Sequence, residues 1–433
     1  MKPLPSLFEP EPSAPEDGVT YAKIAARKAT FKAGLQRPVH GWFRLTPSFG
    51  PDLVQLLASE MKCNGDTLLF DPFGGASTTL IEGRLLGFET LGYEINPLLH
   101  FVGQTCLRWD LESAELRLGL ELVEAKFRAL IATHRDKPLS EQPCPVPAIF
   151  NPLRWWREDV LRDLLCLKAA INSTADDSTR SFFRLALAAV LVPDLTNVTL
   201  GRLQLHFIER NDEEIRVWET WRQHTLRMLE DLDRLAKQFP DPRPAKLVFG
   251  DSTRLEPREF SRPITHVITS PPYPNRYSYV WNTRPHLYML DFFQDRSAGS
   301  ELDERTIGST WGTATSSLMN ITIKPANEVV AAALNGVADE IATQDRLMAN
   351  YAIKYFNMMH THVESMLPLL APGAQLAYVV GCSRLKGVFL ETDKVLAQIF
   401  KGLGFAVPEV RRFRKRNSGK DLHETIVFAT KSS

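Results

Sequence analysis

The chain has no apolar run near the roughly 18 residues that a membrane-spanning helix needs, which excludes a helical membrane protein. Its start, Met1–Pro10, lacks the sustained apolar stretch of a signal peptide, so a cytoplasmic location is expected. Cysteine is scarce: Cys63, Cys106, Cys144, Cys166 and Cys382 are five in 433 residues, odd in number and widely separated. That pattern points to reduced thiols and away from a disulfide framework or a zinc site. No metal is expected from histidine either, because His360 and His362 lie two residues apart in a helical stretch and point to different sides. Charge of one sign is also missing, since 51 basic and 51 acidic side chains balance to +0. A general basic coat for nucleic acid is therefore absent, and any such contact must be a local patch. What is present is 44% hydrophobic content in a chain long enough for two or three domains with a sizeable core.

Two short stretches stand out against this background. The first, Asp71-Pro-Phe-Gly-Gly-Ala-Ser-Thr-Thr79, follows a short apolar strand at Asp66–Phe70 and precedes Thr78–Leu86, whose apolar residues recur at helical spacing. Strand, tight turn and helix leave free backbone N–H groups at the helix start. Gly74 and Gly75 let the chain turn and approach a ligand closely there, while Thr78 and Thr79 add hydroxyls. Such a loop suits a nucleotide-like cofactor. A second strand, Thr90–Glu94, ends in an acid about 20 residues after the loop, where doubly wound folds set a carboxylate against ribose hydroxyls. Glu94 is thus the ribose candidate. Asn96-Pro97 opens the next helix, and Lys246–Asp251 repeats the pattern of an apolar strand closed by an acid. Asp251 can accept from an adenine amino group.

The second stretch is Thr269-Ser-Pro-Pro-Tyr273. Pro263–Thr269 reads as a buried strand, and the chain leaves it through two prolines that fix the backbone and remove two donors. A rigid corner rich in acceptors results. With both stretches in hand, the chain resembles the amino-methylating DNA methyltransferases, which use S-adenosylmethionine to modify adenine at N6 or cytosine at N4. Their signature is an Asp-Pro-Phe-x-Gly-x-Gly-Thr loop and an (Asp/Asn/Ser)-Pro-Pro-Tyr tetrapeptide. Here the loop runs Asp71, Pro72, Phe73, Gly74, Gly75, Ala76, Ser77, Thr78, with Ser77 in place of the last glycine, and the tetrapeptide matches fully.

The resemblance covers roughly residues 36–108 and 245–430, and the order of its motifs belongs to one of the permuted groups of the superfamily. It implies a doubly wound, Rossmann-like α/β sheet. It further implies that Phe73 and the loop contact the methionine part of S-adenosylmethionine, Glu94 the ribose and Asp251 the adenine. Ser270, Pro271, Pro272 and Tyr273 are then the catalytic residues that meet the target base. His40–Ser48, with Thr46, looks like the extra cofactor-binding segment these enzymes carry ahead of the loop. In the Gly-x-Ser turn where many relatives have asparagine, this chain has Cys382.

An exocyclic amine is a poor nucleophile because its lone pair is delocalised into the ring. Acceptors aimed at the amine favour a more tetrahedral nitrogen, and the Ser270 hydroxyl and Pro271 carbonyl fit that task. Tyr273 would stack on a base rotated out of the duplex. No covalent intermediate is needed, which separates this chemistry from cytosine-C5 methylation. That reaction needs a nucleophilic cysteine after proline, and Pro143-Cys144 is present, but in a proline-rich loop without the Glu-Asn continuation of that family. Serine at the head of the tetrapeptide leans toward cytosine N4. Adenine N6, a base in RNA, and a non-catalytic binding protein with the same fold are the alternatives; an NAD-dependent oxidoreductase has no use for the proline tetrapeptide. The expected partner is DNA, double-stranded, with a restriction or defence nuclease as a further candidate.

The expected organisation is a tail and short helix over 1–35, with Tyr21–Lys28 as the helix. A catalytic domain split over 36–110 and 245–433 follows, with an inserted helical unit at 111–244 for target recognition. Helical periodicity covers Glu115–His134, Leu153–Ile171, Ser181–Val192 and Glu213–Lys237. Within the insert, Asn151–Glu158 mixes cations with Trp155 and Trp156, which serve either nucleic acid or core packing. A second insertion spans 285–344 and includes a small polar stretch, Gly308–Ser317, that reads as a mobile loop. Arg276 is the candidate for a phosphate next to the base pocket. Arg411, Arg412, Arg414, Lys415 and Arg416 form the densest positive run, a candidate for duplex backbone contact or a charge-protected edge strand.

Overall fold

The computed structural model describes residues 9–10, 19–23, 34–46, 48–201, 204–309, 313–319, 321–415 and 422–432. Nine strands form one sheet: β1 (Glu9–Pro10), β2 (Val19–Lys23), β3 (Leu68–Asp71), β4 (Glu89–Glu94), β5 (Ala245–Phe249), β6 (Ile264–Thr269), β7 (Leu370–Gly381), β8 (Phe405–Lys415) and β9 (His423–Lys431). Their spatial order is β1-β2-β8-β9-β7-β6-β3-β4-β5. From β7 to β5 every neighbour is parallel. β9 runs antiparallel between β7 and β8, and β1 antiparallel to β2 at the far edge. The chain builds outward from β3 through β4 to β5, then returns to the other side of β3 and builds outward from β6 to β7. The reversal makes the gap above the carboxyl ends of β3 and β6 a topological switch point, where doubly wound sheets bind ligands. The protein is a Rossmann-like α/β fold of this kind. Leu68, Leu69 and Phe70 of β3 are all buried, as a central strand covered on both faces requires.

Helices cover the two faces. On one lie α1 (Pro51–Glu60), α2 (Thr78–Leu85) and α3 (Pro97–Cys106), then α4 (Ser113–His134), α5 (Glu158–Asn172), α6 (Asp177–Leu191) and α7 (Val217–Gln238), with α8 (Tyr279–Met289) after the tetrapeptide. On the other lie α9 (Arg346–Met366) and α10 (Thr392–Gly402). The helices of 111–244 share a single apolar core with α2 and α3: Leu80, Leu98 and Val102 meet Leu161, Leu165, Phe182, Phe183, Trp221 and Met228. This segment is thus joined to the α2–α3 face of the sheet by a continuous core.

Several local expectations change. Tyr21 and Ala22 lie in β2, paired in parallel with β8, so the chain there is extended and not helical; Ile24–Lys28 lie outside the described residues. Leu153–Ile171 is not one helix, because Trp156 is extended at φ −133° and separates a short turn, Pro152–Trp155, from α5. Trp155 and Trp156 are 5% and 0% exposed, so they are core residues. In the polar stretch 308–317, Gly308 and Ser309 are buried and Thr313–Met319 is helical, so those residues are not a loose loop; 310–312 lie outside the described residues. Among the described residues no helix is long and apolar enough to cross a membrane.

Candidate cofactor and acceptor site

A cavity opens at the switch point. The loop Pro72–Ala76, Glu94–Asn96, Gly250–Ser252, Ser270, Pro272 and Tyr279 line it, together with Leu45, Ser48 and Phe49 from ahead of α1 and Arg305–Ile307 from the second insertion. Two motifs 200 residues apart in sequence therefore face one space because β3 and β6 are neighbours.

The loop is held from below by its own acids. Asp71 is buried, and its Oδ1 accepts from Phe73 N at 3.0 Å and from Thr269 Oγ1 at 2.6 Å. Gly74 N donates to Tyr93 O at 2.8 Å, and a side chain at Gly74 would run into Leu247 Cδ1 at 2.6 Å. Gly75 sits at φ +50° and donates its N–H to Glu94 Oε2 at 2.7 Å, while Glu94 Oε1 accepts from Asn96 N at 2.7 Å. Burial pushes the Glu94 carboxyl up to about 7 and the Asp71 carboxyl up to about 6, against the opposing pull of these N–H and O–H donors. Ser77, in place of the last glycine of the Asp-Pro-Phe-x-Gly-x-Gly-Thr signature, adopts φ +61° and packs its hydroxyl where a side chain on Gly103 would stand. Leu247 of β5 fills the hollow left by three glycines: its methyls lie 2.6, 3.0 and 2.5 Å from where side chains on Gly74, Gly92 and Gly103 would begin.

The remaining cofactor candidates divide. Asp251 lines the cavity and steadies itself by accepting from Thr253 N and Oγ1 at 2.9 and 2.8 Å. Phe73 lines it too, with its ring edge-on to His362 at 4.8 Å. That histidine is buried, its pKa pushed down to about 4 by desolvation, and it lies 2.7 Å from the Tyr378 hydroxyl. Thr78 borders the cavity at the start of α2. The Asn96 side chain, by contrast, is occupied in capping α3, accepting from Leu98 N and Leu99 N and donating to Thr283. The Thr46 carbonyl accepts from the Tyr277 hydroxyl, and its own hydroxyl is buried without a hydrogen bond among the described residues, beside the cavity and not in its lining. Asp71 and Ser77 likewise shape the loop from behind.

On the acceptor side, Ser270 Oγ donates to Val379 O at 3.0 Å. Its single hydrogen is thereby spent on β7, so the hydroxyl can only accept from whatever enters the cavity. Pro272 lines the cavity and its carbonyl accepts from the Tyr355 hydroxyl at 2.9 Å; Pro271 is buried and Tyr273 half-buried behind the lining. Arg276 adopts φ +59° and donates its N–H to the Tyr351 hydroxyl at 3.1 Å.

The basic run is not an open patch. Arg411 bonds Glu60 at 2.6 Å and Glu409, Arg412 bonds Glu391 at 2.9 Å and buried Asp393 at 3.0 Å, and Arg414 bonds Glu424 at 2.8 Å. These cations are paired with acids within β8 and its surroundings. Lys415 is exposed, and Arg416 lies outside the described residues. Cys144 packs against the helical core away from the cavity lining. Cys382 is buried 3.3 Å from Asp393, its thiol pushed up to about 12, so it is inert packing. Arg305, Thr306 and Ile307 carried no readable motif; they reach the cavity only through folding of the second insertion.

No protein-family model matches the chain. Curated relatives do. The type II methyltransferase M.MvaI of Kocuria varians is 22% identical over 364 residues, covering 81% of this chain and 76% of that protein. M.BsoBI of Geobacillus stearothermophilus is 24% identical over 58% of this chain and 52% of its own length. M.AvaI of Anabaena variabilis is 23% identical over 90% of this chain and 84% of its own. Among solved structures, TrmN from Thermus thermophilus aligns at 9% identity and a TM-score of 0.31, and the chain spans about half of it, 53%. The strand order, and not that superposition, carries the fold.

Proposed function

We propose, from the premise that this chain belongs with the amino-methylating DNA methyltransferases, that it transfers a methyl group from S-adenosylmethionine to an exocyclic amine of a base in DNA. One observation supports this most: a glycine loop, two strand-end acids, and Ser270 and Pro272 of the Ser-Pro-Pro-Tyr corner line a single cavity at the switch point. The residues present suit the cofactor. Glu94 offers carboxylate lone pairs beyond its two backbone bonds for ribose hydroxyls. Asp251, which lines the same cavity, would accept from the adenine amino group, and Phe73 with Gly74 and Gly75 would border the methionine part. When bound, the cofactor supplies an electrophilic methyl: the amine lone pair forms the new N–C bond as the C–S bond breaks, sulfur leaves as a neutral thioether, and the surplus amine proton goes to water.

The chain's own residues hold the amine. Ser270, fixed as an acceptor by its bond to Val379, takes one N–H, and the Pro271 carbonyl takes the other. Both bonds strengthen as positive charge grows on nitrogen, which lowers the barrier more than it stabilises the bound base. Tyr279 and Ile307 close the apolar sides against water. The serine at position 270 favours cytosine N4 over adenine N6.

The experiment incubates purified protein with S-adenosylmethionine bearing a labelled methyl group and unmethylated genomic DNA, then digests the DNA to nucleosides. Label on N4-methylcytosine is the expected outcome. Label on N6-methyladenine changes the base, and absence of label on DNA overturns the reading.

A further inference from the structure

Two tyrosine hydroxyls one turn apart on α9 grip the wall of the cavity that carries the tetrapeptide. Tyr355 donates to the Pro272 carbonyl at 2.9 Å, and Tyr351 donates to the Gly308 carbonyl at 2.9 Å while accepting from Arg276 N at 3.1 Å. Their rings are 2% and 1% exposed, so water does not compete for these bonds. Gly308, at φ +78°, lies directly on the tetrapeptide: a side chain there would begin 3.2 Å from both Pro272 Cβ and the Tyr273 carbonyl. Asp303, itself buried, ties the same segment to the start of α8 by accepting from Ser278 Oγ at 2.5 Å and from Ser309 Oγ. Thr306 and Ile307, between these anchors, face the cavity.

We propose that Tyr355 and Tyr351 are positioning residues for the acceptor amine, making the tetrapeptide and residues 305–309 a single preset wall. The proposal rests on the reading that Ser270–Tyr273 receives the amine. The proline rings fix φ at 271 and 272, so only the two ψ angles remain free to aim the Pro271 carbonyl. The Tyr355 bond fixes the peptide plane that follows Pro272, and the close contact with Gly308 fixes the proline ring. Tyr351 then holds both ends of that arrangement, Gly308 on one side and Arg276 on the other. Misplacement by about 1 Å costs on the order of a hundredfold in rate in such sites, so two hydroxyls that touch no reacting atom acquire a large effect on turnover.

Tyr355→Phe and Tyr351→Phe each delete one oxygen and keep the ring. Tyr288→Phe deletes a comparable bond, to the Asp295 carbonyl, away from the cavity lining and serves as the control. Steady-state transfer to unmethylated genomic DNA, calorimetric binding of S-adenosylhomocysteine, thermal midpoints and amide exchange of peptides spanning 273–280 and 302–309 are measured for each. In Tyr355→Phe, kcat should fall about ten- to a hundredfold with KM for S-adenosylmethionine and product affinity within about twofold of wild type. Tyr351→Phe should speed exchange in both peptides, Tyr288→Phe in neither. Unchanged kcat in Tyr355→Phe, a kcat loss matched by an equal loss of product binding, or unchanged exchange in Tyr351→Phe overturns the inference. A wild-type protein that labels no DNA overturns the function instead, and the exchange data still decide the clamp.

Discussion

Thr269 Oγ1 donates to Asp71 Oδ1 at 2.6 Å, and this one bond joins the carboxyl ends of β3 and β6, the strands on either side of the switch point. The acid that begins the glycine loop thus also holds the strand that leads into Ser270–Tyr273. Asp71→Ala should weaken S-adenosylmethionine binding at least about tenfold, since it releases Phe73 N as well as Thr269. Tyr273→Ala should cut transfer strongly and leave cofactor binding near normal. Calorimetry on both variants checks the division of roles, and equal cofactor loss in the two would refute it.

On the proposed function, Glu94 should make cofactor binding depend on pH. Its carboxyl ordinarily titrates near 4.5 and is pushed up to about 7 by burial in the folded protein. A raised folded value means that the stability contributed by this group is complete below 4.5 and is lost as pH rises through 7, a change of about 3 kcal/mol. Replacement by glutamine removes the titration, so the gap in thermal midpoint between Glu94→Gln and wild type should shift in the variant's favour from pH 5 to pH 8. Ribose hydroxyls bind the charged form better. Wild-type cofactor affinity should therefore climb from pH 6 to 7 and level off above, and that slope should vanish in Glu94→Gln.

The two loop glycines are small for different reasons. Gly75 needs only its positive φ, and a side chain there would meet Leu45 at an ordinary 3.5 Å. Gly75→Ala should cost about 1 kcal/mol of stability with cofactor binding little changed. Gly74→Ala drives a methyl into Leu247 and Tyr93 O, which should cost about 1–3 kcal/mol and weaken cofactor binding more than tenfold. Denaturant unfolding and cofactor titration separate the two.

Arg412 is a structural cation. Arg412→Ala strands Asp393, which is 0% exposed, and should destabilise the protein by about 3–5 kcal/mol in urea unfolding. If Arg412 contacted the duplex instead, the variant would unfold normally and show a shallower salt dependence of DNA binding.

The parts of the site that were legible in sequence are those whose meaning is local. A strand, two glycines and a helix start are contiguous, and Glu94 and Asp251 close apolar strands, so Pro72–Gly75, Glu94, Asp251 and Ser270 all reach the cavity as motif reading expects. The parallel pairing of β3 to β7 accords with the same alternation of strand and helix. Where partners come from far along the chain, residue types mislead. Arg411 looks like a nucleic-acid contact until Glu60, 351 residues away, lies against it. Asn96 lines the cavity, while its side-chain oxygen caps the first turn of its own helix. Arg305–Ile307 were invisible because nothing in their composition announces a cavity that is completed only when α9 packs behind them.

Leu247 touches none of the cavity, yet its two methyls occupy the space ceded by glycines on the loop, on β4 and on α3. The glycines usually credited to the ligand are thus owed equally to a leucine. Selection acting on cofactor affinity reaches position 247 through them. A bulkier residue would find no glycine left to yield, and a smaller one would let three backbone segments settle into the gap. In a lineage of such chains, drift at 247 and drift at 74, 92 and 103 cannot be independent.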